Sequence, residues 1–414
     1  MGLSNLRVDG ARLWDALMEM ARIGATPKGG VKRLALTDLD RAARDLFARW
    51  CADAGLTLSI DAMGNMFARR AGADETLAPV VIGSHLDTQP TGGKFDGALG
   101  VIGALEVARS LNDLNIRTRR PIEIVNWTNE EGSRFAPAMV SSAVFAGLMS
   151  LEEARAREDF DGVALGAELG RIGYAGAAPV GGRPFHALFE LHIEQGPILE
   201  AENVDIGIVT HGQGMKWYEI AFDGFEAHAG STPMARRRDA LVAAARTIER
   251  VREIALTEAP LGVGTTGVIA IEPGSRNVIP GRAFMTCEFR HPTEAALARM
   301  DAALATAVAQ IAAQEKVSAK LDHVFDCAPT TFDADCVAMA RRAARSLGLS
   351  HRDIVSGAGH DACNIARVAP TAMIFCPCVD GVSHNEAEDI KPKWAEDGAN
   401  VLLRAALEAA EIVA

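Results

Sequence analysis

Four short stretches of the sequence place histidines and acids where hydrolytic chemistry can be done. Gly83-Ser84-His85-Leu86-Asp87, followed by Lys94-Phe95-Asp96-Gly97, comes after the apolar run Pro79–Ile82. Such a run fits a strand buried on both faces, and Pro90, Gly92 and Gly93 punctuate the loop before a helical pattern begins at Gly97. His85, Asp87 and Asp96 therefore fall at the carboxyl edge of a strand and at a helix N-terminus, the edge where open α/β sheets bind ligands. One histidine and two aspartates suit a divalent metal. Asp87 could instead orient the His85 imidazole from behind, and Asp96 could simply cap the helix.

Asn129-Glu130-Glu131-Gly132 directly follows the strand pattern Pro121–Trp127. Neighbouring carboxylates repel unless something positive neutralises them. One glutamate could ligate a metal while the other acts as general base on a water that the ion activates; the alternative is a pair of solvated acids at a helix start. His192 ends the strand pattern that begins at Ala187, and Gln195 beyond it could hydrogen-bond a substrate or a loop carbonyl. His384 lies in Gly381-Val382-Ser383-His384-Asn385-Glu386. Taken together, His85, Asp96, Glu131, His192 and His384 suit two borderline divalent ions (Zn, Mn, Co or Ni) bridged by one carboxylate, a site that acidifies water and polarises a carbonyl. Ser356-Gly357-Ala358-Gly359-His360 reads as a glycine-rich turn opening a helix, whose amides and His360 could hold an oxyanion.

The elements that position these residues alternate between helix and strand, which implies α/β layering. Amphipathic helices are expected over Val8–Arg22 and Asp38–Ala54, and a closing helix over Trp394–Val413. Near Gly212 the texture changes to a β-α-β-β-α-β order, typical of a small separate domain. Within it Thr232 and Pro233 read as N-cap and first residue of a helix running to about Ile254. His228, Asn277 and Arg290 lie in this stretch. Arg290 alternates with Phe289, so it faces away from that side of the core; it is either a fork for a carboxylate or a surface charge. The fold class is thus α/β: a larger metal-binding catalytic domain from residues 1–212 and 328–414, with a smaller α+β domain, 213–327, inserted.

The bulk numbers set limits. The chain has 414 residues, a net charge of -12 and 49% hydrophobic residues, which argues against nucleic acid or an anionic membrane as partner. Seven cysteines without a CxxC pair point to a reducing cytoplasm rather than a disulfide framework. No signal peptide is expected from Met1–Leu17, and no apolar run reaches the ~18 residues that span a bilayer.

The motifs GSHLDTQPTGGKFDG, NWTNEEGSRF, ELHIEQGP, HAGSTPM, SRNVIPG, CEFRHP, GAGHDA and GVSHNEAE run in one order along nearly the whole chain. In this the sequence resembles the hydantoinase/carbamoylase amidases of the M20 metallopeptidase-like group, which hydrolyse N-carbamoyl-L-amino acids, N-carbamoyl-β-alanine or allantoate. The resemblance implies that His85 and His384 hold one ion, Glu131 and His192 the other, and that Asp96 bridges. It also implies Glu130 as general base and Asp87 as the partner of His85. Gln195, His228, Asn277, Arg290, Gly359 and His360 would bind substrate, with Asn277 and Arg290 on an α-carboxylate and His228 supporting the oxyanion. His192 stands where M20 peptidases and aminoacylases carry an acid. The expected reaction is hydrolysis of an N-carbamoyl-L-amino acid by a homodimer paired through the small domain. The rivals are the sister ureido substrates and, from another class, a non-catalytic binder of the same fold, which would not need the full set of ligands and base.

Overall fold

The computed structural model describes residues 6–413. The chain forms two compact units, Met1–Thr210 with Thr331–Ala414, and His211–Thr330. Its strands, in chain order, are β1 (Thr57–Ile60), β2 (Met66–Arg70), β3 (Val80–His85), β4 (Ile122–Trp127), β5 (Ala187–Ile193) and β6 (Ile206–Gly212). They continue with β7 (Gly214–Asp223), β8 (Ala227–His228), β9 (Val263–Glu272), β10 (Val278–Ile279), β11 (Arg282–His291) and β12 (Ser318–Cys327). The last three are β13 (Thr330–Thr331), β14 (His351–Ser356) and β15 (Thr371–Cys376).

The first unit is built on a mixed sheet in the order β1-β2-β4-β3-β5-β15-β6-β13, with β14 paired to β6. β3, β4, β5 and β15 run parallel to one another at its centre, and every residue of the four is buried. That is why they read as unbroken apolar runs: helices cover both faces. The register puts His85 opposite Trp127 and His192 opposite Phe375. The carboxyl ends of the four strands therefore lie side by side, and the segments Asp87–Asp96, Asn129–Glu131, Gln195 and Ser383–His384 all leave from that edge. Gly97 is fixed by this packing: its φ is +64° and an added Cβ would lie 2.4 Å from the His85 ring.

The turn from β1 to β2 braces the same edge. Asp61 accepts the amides of Met63 and Asn65 and the Asn65 side chain, while Asn65 Oδ1 accepts the Thr128 amide just before Asn129. Burial raises the Asp61 carboxyl to about 6 against hydrogen bonds that lower it. An acid raised on folding favours the native state below its unfolded pKa and loses that contribution as pH rises through its folded one. Relative to Asp61→Asn, the wild type should lose on the order of 3 kcal/mol of stability between pH 4 and about 6 and change little above that. Denaturant melts of both proteins across this window measure it; a constant difference would remove Asp61 as a titrating group.

The second unit is a four-stranded antiparallel sheet, β12-β7-β11-β9. Burial alternates along β7 and β11, and the buried side packs with the helices Ala240–Thr257 and Glu294–Glu315 through Ile220, Phe222, Phe289, Leu297 and Leu304. The helix expected from Thr232 begins later: Pro233 has an extended ψ of 145°, only a 3-10 turn follows at Met234–Arg236, and Asp239 caps the helix by accepting from Leu241 and Val242. The cap chemistry of Thr232-Pro233 is spent instead on a loop in which the Thr232 amide donates to the His228 carbonyl. Helix Glu294–Glu315 is long and apolar enough to cross a membrane by length and composition, contrary to the sequence expectation. It carries Arg299 and Asp301, and its apolar stripe is buried in this unit's core.

Candidate active site and metal centre

Asp96 is the centre of the polar cluster in the first unit. It is almost fully buried, and three histidines face its carboxylate: His192 Nε2 at 3.2 Å and His85 Nε2 at 3.6 Å from Oδ1, and His384 Nε2 at 3.4 Å from Oδ2. His384 Nε2 also lies 3.5 Å from Glu131 Oε2. Two sets of donor atoms thus gather about one carboxylate, His85–Asp96–His192 and Asp96–Glu131–His384. This partition differs from the one expected, which paired His85 with His384 and Glu131 with His192. The sheet order explains it: β3 and β5 are neighbours, so their terminal histidines share one side of Asp96.

The side chains fit divalent ions on local evidence. His85 Nδ1 sits 2.9 Å from the Asp87 carbonyl and His192 Nδ1 3.0 Å from the Ile193 carbonyl. Carbonyls only accept, so both imidazoles carry a proton on Nδ1 and turn a bare Nε2 toward carboxylate oxygen. His85 Nε2 is buried and has no hydrogen-bond partner. Lone pairs facing lone pairs need a cation between them, a shared proton or a metal. Without a metal the surrounding carboxylates favour the protonated forms of His85, His192 and His384. Burial pulls His85 down, but Glu130, Asp96 and Asp87 more than reverse it. The hydrogen bond to Asp96 lifts His384 to about 9.

Glu130 and Glu131 leave β4 through Thr128 and Asn129, and their amides donate to Asp87 Oδ1 and Oδ2 at 3.2 and 3.3 Å. Asp87 therefore holds His85 with its backbone carbonyl, whereas its carboxylate, 3.9 Å from Nδ1, holds the two glutamates in place. Glu130 Oε2 lies 3.5 Å from His85 Nε2. Burial, then Asp361, Glu131 and Asp96, push Glu130 well above the usual carboxylate range against the pull of His85. Burial and Asp96 raise Glu131 to about 7.

Gln195 donates to Asp96 Oδ2 at 2.8 Å. His360 is buried, lies edge-on to His192 with ring centroids 4.6 Å apart, and places Nε2 2.9 Å from Ser356 Oγ. Gly359 packs so closely on Met139 that an added Cβ would come within 2.8 Å of its Cε. The other expected site residues belong to the second unit. There the β8–β10 ribbon brings His228 opposite Val278, and the Asn277 carbonyl accepts the Ala229 amide. The amides of Gly230 and Ser231 donate to His228 Nδ1, each at 3.1 Å, which leaves Nε2–H of this exposed ring as a donor. Arg290 stands on β11, its Nε and Nη2 on the two oxygens of Glu288 at 3.1 Å.

Sequence reasoning passed over several groups that support the cluster. Gln89 donates to Glu131 at 2.6 Å, Ser84 to Glu190 at 2.6 Å, and Ser142 to the buried Asp361. Glu190 is two residues before His192, so strand alternation alone puts both on one face; that signal was available.

Residues 81–408 match the model of the peptidase family M20/M25/M40. The chain belongs to this family. It is 54% identical to the N-carbamoyl-L-amino-acid amidohydrolase of Rhizobium meliloti, over 99% of this chain and 98% of that one. It is 34% identical to the allantoate amidohydrolase of Bacillus subtilis, over 94% of this chain and 95% of that one. Among solved structures, a hydantoinase/carbamoylase family amidase from Burkholderia multivorans superposes with a TM-score of 0.96 at 62% identity, covering 98% of each chain. Family membership thus extends to the hydantoinase/carbamoylase branch, whose motifs the sequence carries.

Proposed function

We propose that the protein hydrolyses the ureido C–N bond of an N-carbamoyl-L-amino acid, giving the amino acid and a carbamate that decomposes to carbon dioxide and ammonia. The observation that carries this is the buried Asp96 shared by two sets of ligand atoms, with Glu130 3.5 Å from His85, in a chain 54% identical to an enzyme of that name. His85, Asp96 and His192 would hold one ion and Asp96, Glu131 and His384 a second. When bound, such ions supply Lewis acidity toward the carbonyl and lower the pKa of water; imidazole and carboxylate ligands admit Zn, Mn, Co or Ni. Glu130 takes the proton of the attacking water and returns it to the leaving nitrogen. The His228 Nε2–H supports the carbonyl oxygen as negative charge develops there. Arg290 and Asn277 grip the α-carboxylate, with Glu288 holding the guanidinium in plane until substrate arrives. Gln195, Gly359 and His360 line the substrate's approach to Asp96 and His192.

We read the protein as a homodimer paired through the second unit. Its edge strand β9 exposes Val263, Val268, Ile269 and Ile271, an apolar edge of the kind that a second chain covers. Seven free cysteines favour a reducing compartment such as the cytoplasm.

Ammonia and amine release by Mn-loaded protein test the substrate. The panel is N-carbamoyl-L-methionine, its D-enantiomer, N-carbamoyl-β-alanine, allantoate and N-acetyl-L-methionine. The L-carbamoyl compound is expected to turn over fastest. Preference for allantoate or the β-alanine compound would keep the site chemistry and change the substrate, and no turnover with metal bound would favour a binding protein.

A further inference from the structure

Glu388 is a buried carboxylate, 1% exposed, that the mechanism does not use. Its Oε1 accepts two successive amides, Phe95 N at 3.0 Å and Asp96 N at 3.1 Å. Its Oε2 is 3.1 Å from Ser383 Oγ, and the same hydroxyl is 3.1 Å from Asp96 Oδ2. Around it the backbone closes so tightly that a Cβ on Gly93 would lie 2.0 Å from the Glu388 carboxyl. Glu388 lies four residues after His384 and is separated from Asp96 by 292 positions, so one carboxylate ties together the loops that carry two of the candidate ligands. Lys94 and Asp389, 3.3 Å apart, join the same loops at the surface.

We infer that Glu388 is a positioning residue for the shared carboxylate: by accepting the Phe95 and Asp96 amides it sets the peptide from which Asp96 reaches both ligand sets. Fixing that peptide sets the spacing between the His85/His192 side and the Glu131/His384 side, on which simultaneous occupancy depends. Residues behind a ligand commonly act in this way. The glycine at position 93 follows from the same requirement, since any side chain there displaces Glu388. The inference rests on the metal-dependent reading above.

The test is titration of the metal-stripped full-length protein with Mn²⁺ or Zn²⁺ against a competing chelator, reading ions per chain and affinity. Circular dichroism of the metal-free variants accompanies it. Glu388→Ala is expected to bind metal about 10–100-fold more weakly. Glu388→Gln, whose amide oxygen can still accept both N–H groups, should stay within about threefold of wild type. Gly93→Ala should weaken binding as Glu388→Ala does, and should Glu388→Ala not fold, Gly93→Ala and Glu388→Gln carry the comparison. Wild-type affinity in Gly93→Ala and in any folded Glu388→Ala, or a Glu388→Gln as weak as the alanine variants, overturns the inference. Failure of the wild type itself to bind either ion overturns the metal reading instead.

Discussion

Glu130→Gln is expected to lower kcat by about 10²–10⁴-fold, the usual worth of a positioned general base, with bound metal unchanged. The expectation rests on what surrounds Glu130. Its amide is fixed by Asp87 at 3.2 Å, and its carboxyl is buried. Burial, Asp361, Glu131 and Asp96 raise it well above the usual carboxylate range against the pull of His85, which favours the protonated form in the metal-free chain. A protonated carboxyl cannot accept a proton from water. Positive charge beside it favours the ionised form, so bound ions would shift Glu130 toward the form that acts as a base. Glutamine keeps the size and the hydrogen-bonding shape but cannot accept that proton. Amine release and metal content measured on the same preparation decide the matter. Turnover near the wild-type rate removes Glu130 as the base; lost metal makes it a ligand.

The parallel centre of the first sheet was legible in the sequence because burial on both faces leaves little freedom: β3, β4, β5 and β15 are short apolar runs ending in polar, glycine-rich loops. The α/β class and the β-α-β-β-α-β order followed from such patterns. What the patterns missed was set by tertiary context. β14, with its mixed burial, gives no clean period, and the Thr232-Pro233 signal lost to Asp239, whose carboxylate caps the helix that packs on the sheet.

In the first unit the structure gathers His85, Asp96, Glu130, Glu131, His192 and His384, each of which stood out as a polar residue at a strand's end or in an adjoining loop. Their partition about Asp96 was not legible, because it depends on strand order, and β4-β3-β5-β15 is not the chain order. Likewise Asp87 was visible as a neighbour of His85, but only the fold shows its carboxylate turned to the Glu130 and Glu131 amides. Glu388 sat inside a recognised motif and carried no signal of its own. Its partners are backbone amides 292 and 293 positions away, and contacts to main chain leave no side-chain pattern to read.

The Asp96 carboxylate belongs to both sets of donor atoms, and Asp96→Asn isolates its contribution. Asparagine keeps the volume and leaves the Asp96 amide on Glu388, so the loop should hold. It removes the charge that His85, His192 and His384 share, and it presents an NH₂ donor to one side of the cluster. Ions held as proposed would then lose their common anionic ligand, so affinity should fall by about 10²-fold or more, beyond what a residue behind the ligands costs. Turnover should drop to background even where Glu130 is intact. A second readout needs no metal. Burial raises the Asp96 carboxyl, but the facing His192, His384 and His85 rings outweigh that and hold it well below its usual range. The same contact raises the histidines in return, His384 to about 9. Neutralising residue 96 takes away the anion that stabilises each imidazolium, so in metal-free Asp96→Asn all three rings should titrate at lower pH than in the wild type. Histidine NMR titrations and metal titrations of the two proteins measure both effects. Two ions bound at wild-type affinity with the histidine titrations unmoved would mean that Asp96 is not shared, and that the two ligand sets must be divided about some other group.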